Sequence, residues 1–251
     1  ASLDIAKYTE LAPGNLEYDR SGRVYLASAE FKPVFLTGQP SRYLNDLLAT
    51  ASGLIEPEAS FIGWQPPFAA VPIPGRVMSA DILAALLKSM RDGSALKVSY
   101  QAMTRPEPTE RLLSPHALAH DGYRWHIRAY CHSRNQFRDF VIARILSISG
   151  TEPAVAPPFE DQEWQTMVKL VLGPHPGLAE GHRRVIELDY GMENGEVVLE
   201  CRQALLFYLL KHLGLDAGRE VKPEAQQIIL KNADEIAGYL RLVHGPGVGQ
   251  V

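Results

Sequence analysis

The sequence contains few cysteines, no long hydrophobic run and little net charge. Cys131 and Cys201 are its only cysteines, and their spacing fits neither a zinc site nor a disulfide framework. We interpret both as small buried hydrophobic residues. No stretch approaches the roughly 18 consecutive apolar residues that cross a bilayer, and the N-terminus lacks a basic region followed by an apolar run. We therefore expect a cytoplasmic protein with no membrane partner.

The motifs of common enzyme families are also missing. The sequence contains no Gly-x-Ser-x-Gly elbow, no His-Glu-x-x-His helix and no phosphate-binding Gly-x-x-x-x-Gly-Lys-Ser/Thr loop. Pairs such as His120-Asp121 are neighbours along the chain only, which is more typical of solvated surface groups than of an acid/base dyad. We therefore expect no catalytic residue, no metal site and no cofactor. A composition of 46% hydrophobic and 22% charged residues instead indicates a folded globular protein.

The N-terminal residues have the pattern of a helix followed by a hairpin. Apolar residues at near-helical spacing predict a short helix over 1–11, which Pro13 and Gly14 end. Two short strands, 16–18 and 24–26, flank a glycine-containing turn. This is the order of elements in the second half of a winged helix-turn-helix, whose recognition helix enters the DNA major groove. A helix and hairpin without any DNA-binding role explains these residues equally well.

Changes in hydrophobic period divide the rest of the chain. Amphipathic helices are predicted over 41–51 and 79–91, with a proline-rich connector between them. After Gly93 the period becomes alternating, and four or five short strands before the proline-rich stretch 153–158 suggest a small barrel. Strands and helices mix beyond that stretch, which is typical of a compact α+β sandwich.

The strand predicted over 124–132 carries most of the candidate binding chemistry. Because side chains alternate between the two faces of a strand, one set is expected to point into a core. That set is Trp125, Ile127, Ala129 and Cys131. The other set is cationic, titratable or aromatic throughout: Arg124, His126, Arg128, Tyr130 and His132. An ordinary solvent face mixes acids with bases, so this composition indicates a binding surface.

Residues 93–150 form a basic island in an acidic chain. They contain eight basic and four acidic residues, a net charge of +4, so that with −4 for the whole chain the remainder carries −8. Planar arginine side chains suit phosphate groups, and aromatic rings suit stacking on bases. The island therefore predicts a pocket for a phosphorylated or nucleotide-like ligand. The alternative is that several of these arginines pair with acids elsewhere in the fold.

The same region resembles a WYL domain. The resemblance covers about fifty residues and rests on Tyr100, on the runs 111–118 and 122–130, and on the run 138–145. The Trp-Tyr-Leu triplet that names the family stands here as Trp-His-Ile at 125–127. This Trp-His-x-Arg-Ala variant is similar to WYL regulators found beside bacterial anti-phage defence systems of the BREX and CBASS kinds.

The resemblance implies an α+β chain of four parts. They are a partial winged helix-turn-helix at 1–36, a helical linker at 37–92, a WYL domain of Sm-like or SH3-like β-barrel form at 93–152, and a C-terminal α/β sandwich used in dimerisation at 153–251. The first helices of the DNA-binding domain are expected to be missing. We therefore expect that only the intact protein binds its double-stranded DNA operator.

The function that the resemblance implies is ligand-responsive transcriptional regulation. Such a regulator is a homodimeric repressor that leaves its operator when the WYL pocket binds a nucleotide or a single-stranded nucleic-acid fragment, and it controls an anti-phage defence operon. The implied ligand-binding positions are Tyr100, Arg111, Ser114, His116, Arg124, His126, Arg128, Arg138 and Arg144. The implied DNA-binding positions are Ser2, Lys7, Arg20 and Arg23. Two alternatives remain open: an Sm-like module that binds single-stranded RNA without a transcriptional role, and a purely structural dimerisation protein.

Overall fold

The computed structural model describes residues 2–34, 40–56, 62, 65–71, 74–153, 157–215 and 222–243. The chain forms two compact units, which divide between Pro74 and Gly75. Among the helices of the described residues, none combines the length and the apolar composition that crossing a bilayer requires. The fold class is α+β, as predicted.

The first unit contains a helix, a hairpin and a second helix. Its elements are α1 (Ser2–Leu11), β1 (Leu16–Asp19), β2 (Val24–Ala27) and α2 (Pro40–Ala51). The buried amide of Asn15 joins α1 to the segment that follows the hairpin. Its Nδ2 donates to the Tyr8 hydroxyl at 3.0 Å and to the Lys32 carbonyl at 2.6 Å, and its Oδ1 accepts from the Lys32 N–H at 3.0 Å. The predicted helix and hairpin are confirmed.

The second unit holds two sheets and the helices that cover them. Its helices are α3 (Ala80–Asp92), α4 (Gln162–Gln165), α5 (Glu180–Asp189), α6 (Leu206–His212) and α7 (Ala233–Val243). Its strands are β3 (Ser94–Tyr100), β4 (Thr109–His120), β5 (Trp125–Cys131), β6 (Gln136–Val141), β7 (Ile145–Pro153), β8 (Met167–Pro174), β9 (Val197–Arg202) and β10 (Ile228–Leu230). Short 3-10 helices lie at Ile142–Arg144, Pro158–Glu160 and Gln203–Leu205.

Strands β3 to β7 form a curled antiparallel sheet. Its five strands have the order β6-β5-β4-β3-β7, so that β6 and β7 lie at opposite edges although only Ile142–Arg144 joins them in the chain. In a flat sheet, four strand spacings of about 4.8 Å would separate these edges by roughly 19 Å. The connection from Val141 to Ile145 spans at most roughly 14 Å. The sheet must therefore be curled, in the manner of the predicted small barrel.

Hydrogen-bonded strand pairing does not close this barrel, which corrects the prediction. Within the described strands, β6 pairs with β5 alone and β7 pairs with β3 alone. Other contacts join the end of β3 to β6 and to the connection between β6 and β7. The phenol oxygen of Tyr100 accepts a hydrogen bond from the Val141 N–H at 3.2 Å, and the Arg144 carbonyl accepts one from the Gln101 N–H at 3.0 Å.

The core of the curled sheet lies between one face of its strands and α3. Ile127 and Cys131 of β5 are fully buried, as is Leu86 of α3. The ends of α3 are defined by the sequence. Ser79 caps its start by accepting a hydrogen bond from an N–H three residues further on, and Gly93 ends it with a φ of +61°.

Trp125 does not belong to this core, and its predicted burial is wrong. It opens β5 opposite His120, the last residue of β4, so its ring lies at the end of the sheet. The residue is 45% exposed, and its ring lies 4.8 Å from that of His120. The predicted core face holds from Ile127 onwards, where Ile127, Ala129 and Cys131 are fully buried.

The C-terminal part of the second unit is an α/β layer. Strands β8, β9 and β10 form an antiparallel sheet in the order β10-β8-β9, which packs on α5, α6 and α7. Leu170 of β8 and Leu206 of α6 are fully buried. The Asn232 side chain ties the start of α7 to β8, since it donates to the Lys169 carbonyl at 3.0 Å and accepts from the Val171 N–H at 2.9 Å. The predicted α/β sandwich is confirmed.

Candidate ligand and nucleic-acid sites

Most of the predicted ligand residues lie on the two faces of the curled sheet, while Arg124 lies in the turn before β5 and Arg144 in the connection between β6 and β7. The inner face carries Ile127 and Ala129 and packs on the core, and the outer face carries His126 and Arg128. Residues directly opposite each other in a ladder share a face, so the strand pairings assign each residue to one of the two. The outer face is largely covered, because residues 157–165 and α6 pack on it.

A β-bulge at His116 decides which side chains of β4 reach the outer face. Pro115 and Ala117 pair with consecutive residues of β5, so His116 is an extra residue between them. Proline suits a bulge because it has no N–H to donate to the ladder. As a result, His116 and Ala117 both lie on the outer face, and Leu118 returns to the inner face, where it packs against the core.

Arg128 is the centre of a buried ion cluster on the outer face. Its side chain is 4% exposed and forms a bidentate pair with Asp161, from Nε to Oδ2 at 2.7 Å and from Nη2 to Oδ1 at 2.9 Å. Nη2 also donates to Glu163 at 2.7 Å. Nη1 lies 3.3 Å from an oxygen of Asp139, which faces Arg128 across the β5–β6 ladder. Three carboxylates of the chain therefore occupy this guanidinium.

Asp161 is held in place by two contacts besides Arg128. It caps α4 by accepting a hydrogen bond from the Trp164 N–H at 3.2 Å, and its Oδ2 lies 2.8 Å from His116 Nε2. Burial opposes the charged form of this carboxyl, but the hydrogen bonds from Arg128 and His116 outweigh it and hold the pKa of Asp161 well below its usual range. Asp161 is therefore ionised at neutral pH.

Asp139 differs from Asp161 in the direction of its pKa shift. Burial is the dominant cause and raises the pKa of Asp139, although the charge of Arg128 favours the ionised form. The Tyr208 hydroxyl of α6 donates to Asp139 Oδ2 at 3.2 Å. Burial, together with the charge of Asp139, raises the pKa of the Tyr208 phenol. The cluster thus joins β5 and β6 to α4 and α6.

Asp121 organises the turn between β4 and β5. Its Oδ1 accepts from the N–H groups of Tyr123 at 2.9 Å and Arg124 at 2.8 Å, and its Oδ2 accepts from Arg124 Nε at 2.9 Å and lies 2.8 Å from His126 Nε2. Burial opposes the charge, but these hydrogen bonds, led by that of His126, hold the pKa of Asp121 well below its usual range. Two more predicted ligand residues, Arg124 and His126, therefore contact a carboxylate of the chain.

Arg111 differs from these arginines, since no carboxylate within the described part of the chain forms an ion pair with it. It lies on the inner face opposite Val98. Its guanidinium carbon is 5.7 Å from the ring centroid of Tyr100 and 5.8 Å from that of Phe140. Its Nη1 is 3.8 Å from Cys131 Sγ, and its Nε is buried without a hydrogen-bond partner among those residues. A half-buried cation held by rings and a thiol is able to bind an anionic group.

Arg138 shares a face of the sheet with Arg111 and not with Arg128, and Arg144 lies in the connection between β6 and β7. Arg138 pairs with Ala129 of β5 and therefore lies on the inner face. Arg144 ends the 3-10 helix between β6 and β7 and is half-buried. The structure thus brings Tyr100, Arg111 and Arg138 to one face and the buried Arg128 cluster to the other. A ligand bound on one face contacts one of these sets.

Ser114 belongs to a row of polar and aromatic side chains on the outer face. Its hydroxyl is buried and lies 2.8 Å from His132 Nε2. Burial lowers the pKa of His132, so its ring is neutral at neutral pH. The rings of His132, Tyr130, Phe137 and His116 follow one another with centroid separations of 5.1, 5.2 and 5.4 Å.

The predicted DNA-binding positions lie on one helix and one hairpin of the first unit. They are Ser2, which begins α1, Lys7 on α1, and Arg20 and Arg23 in the hairpin turn. Lys7, Arg20 and Arg23 are exposed. Asp19 shapes the turn by accepting from the Ser21 N–H at 2.9 Å and the Ser21 hydroxyl at 2.6 Å, and these bonds lower the pKa of Asp19. Exposed cations on a helix and on the tip of a hairpin are the arrangement of a recognition helix with its wing.

The partners of the outer-face cations were not found from the sequence. Asp161 and Glu163 follow a proline-rich stretch, in a segment that has no helical or strand period of its own. The capping pattern of Asp161 before Trp164 was an available signal. It locates the start of a helix but not the arginine that the capping residue faces.

Three family models match successive parts of the chain. The winged helix-turn-helix domain of the BrxR transcriptional regulator matches residues 1–49, the WYL domain matches 81–149, and the BrxR C-terminal dimerization domain matches 167–236. The first match begins with α1 and the hairpin, the second covers α3 and most of the curled sheet, and the third covers the second sheet. The predicted domain limits themselves stay predictions.

Curated relatives match almost the whole chain. Over 242 residues it is 50% identical to the DNA-binding transcriptional repressor CapW of Pseudomonas aeruginosa. This match covers 96% of this chain and 81% of the relative. It is 47% identical over 245 residues to CapW of Escherichia coli (strain KTE188) and 45% identical over 243 residues to CapW of Stenotrophomonas maltophilia, each with the same coverage. The chain therefore belongs to the family of WYL-domain transcriptional regulators that includes the CapW repressors.

Proposed function

We propose that this chain belongs to a ligand-responsive DNA-binding repressor in which the inner face of the WYL sheet senses a nucleotide or a nucleic-acid fragment. One observation carries the ligand part of the proposal. Arg111 is a half-buried cation next to Tyr100 and Phe140, and it has no carboxylate partner among the described residues. Arg128 provides the internal comparison, because three carboxylates surround it and leave no need for an external anion.

A phosphate on the inner face gains charge-assisted hydrogen bonds from the terminal nitrogens of Arg111. Such a bond contributes about 1.5 to 3 kcal/mol, more than a bond between neutral groups. Arg138 lies on the same face, and the buried rings of Tyr100 and Phe140 hold the guanidinium of Arg111 in place. The phosphate group that nucleotides and nucleic-acid fragments share suits this site.

The remaining parts of the chain connect sensing to DNA binding. In this proposal, α1 and the β1–β2 hairpin contact the operator, and the C-terminal domain pairs two copies in a homodimer. A ligand that binds the two states of the dimer with different affinity changes operator affinity by a corresponding factor. The repressor names of the CapW relatives support the DNA-binding role. Control of an anti-phage defence operon is part of the proposal and rests on the Trp-His-x-Arg-Ala resemblance.

A titration tests the ligand site. The purified protein is titrated with short single-stranded oligonucleotides and with cyclic and linear nucleotides, together with the variant Arg111→Gln and the control Arg105→Gln. Arg105 is exposed in the β3–β4 loop. We expect saturable binding that is weakened roughly tenfold or more by Arg111→Gln, the loss of about one charge-assisted bond. Equal affinity in the wild type and in Arg111→Gln would show that the ligand does not bind at Arg111.

A second measurement tests the coupling. Binding of the intact protein to a DNA fragment from upstream of the gene is measured with and without the ligand found in the titration. A weaker DNA affinity in the presence of ligand supports a repressor that responds to it, and an unchanged affinity contradicts sensing. Affinity that increases with oligonucleotide length and falls steeply with salt would instead favour a single-stranded nucleic-acid-binding module.

A further inference from the structure

A cleft lies between the β4–β5 turn and α6. Its volume is about 250 Å³, and it is lined by Tyr123 and Arg124 from the turn and by Phe207 and Lys211 from α6. Arg124 shares the outer side of the sheet with the Asp121 and His126 contacts described above. The cleft is therefore distinct from the inner-face site proposed around Arg111.

The cleft is cationic, because its carboxylate is already neutralised. Both oxygens of Asp121 are engaged by the turn, and one of them binds Arg124 Nε. The terminal nitrogens of Arg124 have no hydrogen-bond partner among the described residues. Within the same residues, no carboxylate pairs with Lys211, whose Nζ lies 5.8 Å from the ring centroid of Phe207. Donors on both sides of the cleft thus remain available to an anion.

Aromatic rings form much of the remaining lining. The rings of Tyr123 and His212 lie 5.1 Å apart at an angle of 37°, and those of Phe207 and Tyr208 lie 5.7 Å apart at 69°. Tyr123 is 56% exposed, whereas the hydroxyl of Tyr208 is committed to Asp139. Flat apolar surface is therefore accessible next to the free cationic groups.

Gly122 is needed for the wall that His212 forms. It adopts a φ of +92°, and a Cβ at this position would lie 2.7 Å from Cε1 of His212. A residue with a side chain would be strained by the backbone and would push the ring away. The close approach of α6 to the turn is therefore specified by the sequence.

We infer that this cleft binds a small molecule with one planar ring and one anionic group, a phosphate or a carboxylate. Lys211 and Arg124 bind the anionic group, and the rings of Tyr123 and Phe207 pack on the planar group. Ligand pockets usually measure about 300 to 1,000 Å³. A cleft of about 250 Å³ accordingly holds a single ring system with its anionic group and excludes an oligonucleotide. Such a ligand connects the WYL sheet to α6, which the Arg128 cluster also joins.

Calorimetric titration of the whole chain tests this site. The probes are adenosine 5′-monophosphate, benzoate and inorganic phosphate, and the variants are Lys211→Gln and Tyr123→Ala. Lys169→Gln is the matched control, because Lys169 is an exposed lysine of the same unit, on β8. We expect at least one of the two ring-bearing anions to saturate the site, with affinity roughly tenfold weaker in Lys211→Gln and nearly unchanged in Lys169→Gln. Tyr123→Ala is expected to weaken the ring-bearing anions and to leave inorganic phosphate unaffected.

The comparison between probes identifies the source of the anion. Tighter binding of adenosine 5′-monophosphate indicates a phosphorylated ligand, and tighter binding of benzoate indicates an aromatic carboxylate. The inference is overturned if neither ring-bearing anion saturates the wild type, or if Lys211→Gln and Lys169→Gln behave alike. Binding lost in Arg111→Gln but kept in Lys211→Gln also overturns it, and in that case the function proposed for the inner face stands.

Discussion

Arg128 and Asp161 lie 33 residues apart in the chain and form a bidentate ion pair whose side chains are 4% and 1% exposed. The arginine comes from β5, which is paired on both sides in the curled sheet, and the aspartate starts α4 after that sheet has ended. The pair therefore attaches the C-terminal part of the unit to the WYL sheet. In the sequence pattern Arg128 looks like a strong candidate for binding a ligand, but in the structure its partner is a carboxylate of the same chain.

Arg128→Met is expected to destabilise the second unit strongly. The substitution keeps much of the side-chain volume but leaves Asp139 and Asp161 buried without their cation, which costs about 3 to 5 kcal/mol of unfolding free energy. Urea denaturation at pH 7 measures the loss. Arg105→Met, at an exposed position, is the control and should change stability by less than about 0.5 kcal/mol. Similar stabilities for the two variants would mean that the cluster is not a structural contact.

Asp161→Asn is expected to reduce the sensitivity of the fold to acid. The folded-state pKa of Asp161 lies below its ordinary value of about 3.9, so the unfolded chain binds a proton first as the pH falls. The stabilisation is therefore present above about pH 4 and is lost as the pH falls towards the folded-state pKa. Unfolding free energies measured from about pH 6 down to about pH 3 should fall less in Asp161→Asn than in the wild type. Asp81→Asn, at an exposed position, is expected to follow the wild type, and identical curves for Asp161→Asn would contradict the assignment.

Ile127→Ala is expected to cost more stability than Trp125→Ala, although tryptophan is the larger residue. Ile127 is fully buried, and its truncation leaves a cavity worth about 2 to 5 kcal/mol. Trp125 is 45% exposed and packs on the ring of His120, so its removal leaves no enclosed cavity. Thermal or urea denaturation of both variants decides the order. A larger loss of stability in Trp125→Ala would indicate that Trp125 is part of the core and would contradict this prediction.

Leu188→Asp is expected to weaken dimerisation. Leu188 and Val185 of α5 are 72% and 52% exposed, and they lie in the region matched by the dimerization-domain model. Burying a leucine contributes about 1.5 to 3 kcal/mol, so a charged replacement should raise the dimer dissociation constant by at least about tenfold. Sedimentation equilibrium measures this constant. Met103→Asp, at a position that is 71% exposed in the β3–β4 loop, should leave it unchanged. An unaffected dimer in Leu188→Asp would exclude this face of α5 from the interface.

The helical period and the strand alternation of apolar residues predicted most of the elements. The elements that they did not predict are individual segments in which this pattern is weak or interrupted. The burial of Ile127, Ala129 and Cys131 follows from alternation alone. The helix α5 was missed because polar residues dominate it and its apolar positions are few. The bulge at His116 was missed because two-residue alternation carries no marker for an extra residue, although Pro115 beside it was a usable sign.

The candidate site could be predicted in composition but not in arrangement. The arginines and rings of the WYL segment were identified, but a strand pattern does not show what lies against a face. Arg111 and Arg128 look equivalent in the sequence, and they differ in the structure because Asp161 and Glu163 come from a distant segment. Which carboxylates neutralise an arginine depends on how distant segments pack together. The local sequence pattern does not encode this packing.

The position of β5 has a consequence for the exchange of its amide protons. It is hydrogen-bonded on both edges to β4 and β6, its inner side is packed with Ile127 and Ala129, and its outer side is covered by the Arg128 cluster. The central amides of β5 therefore cannot exchange with deuterium while all of these layers stay packed. Exchange in β5 is therefore expected to require opening of the whole second unit, whereas the exposed β1–β2 hairpin exchanges through local opening.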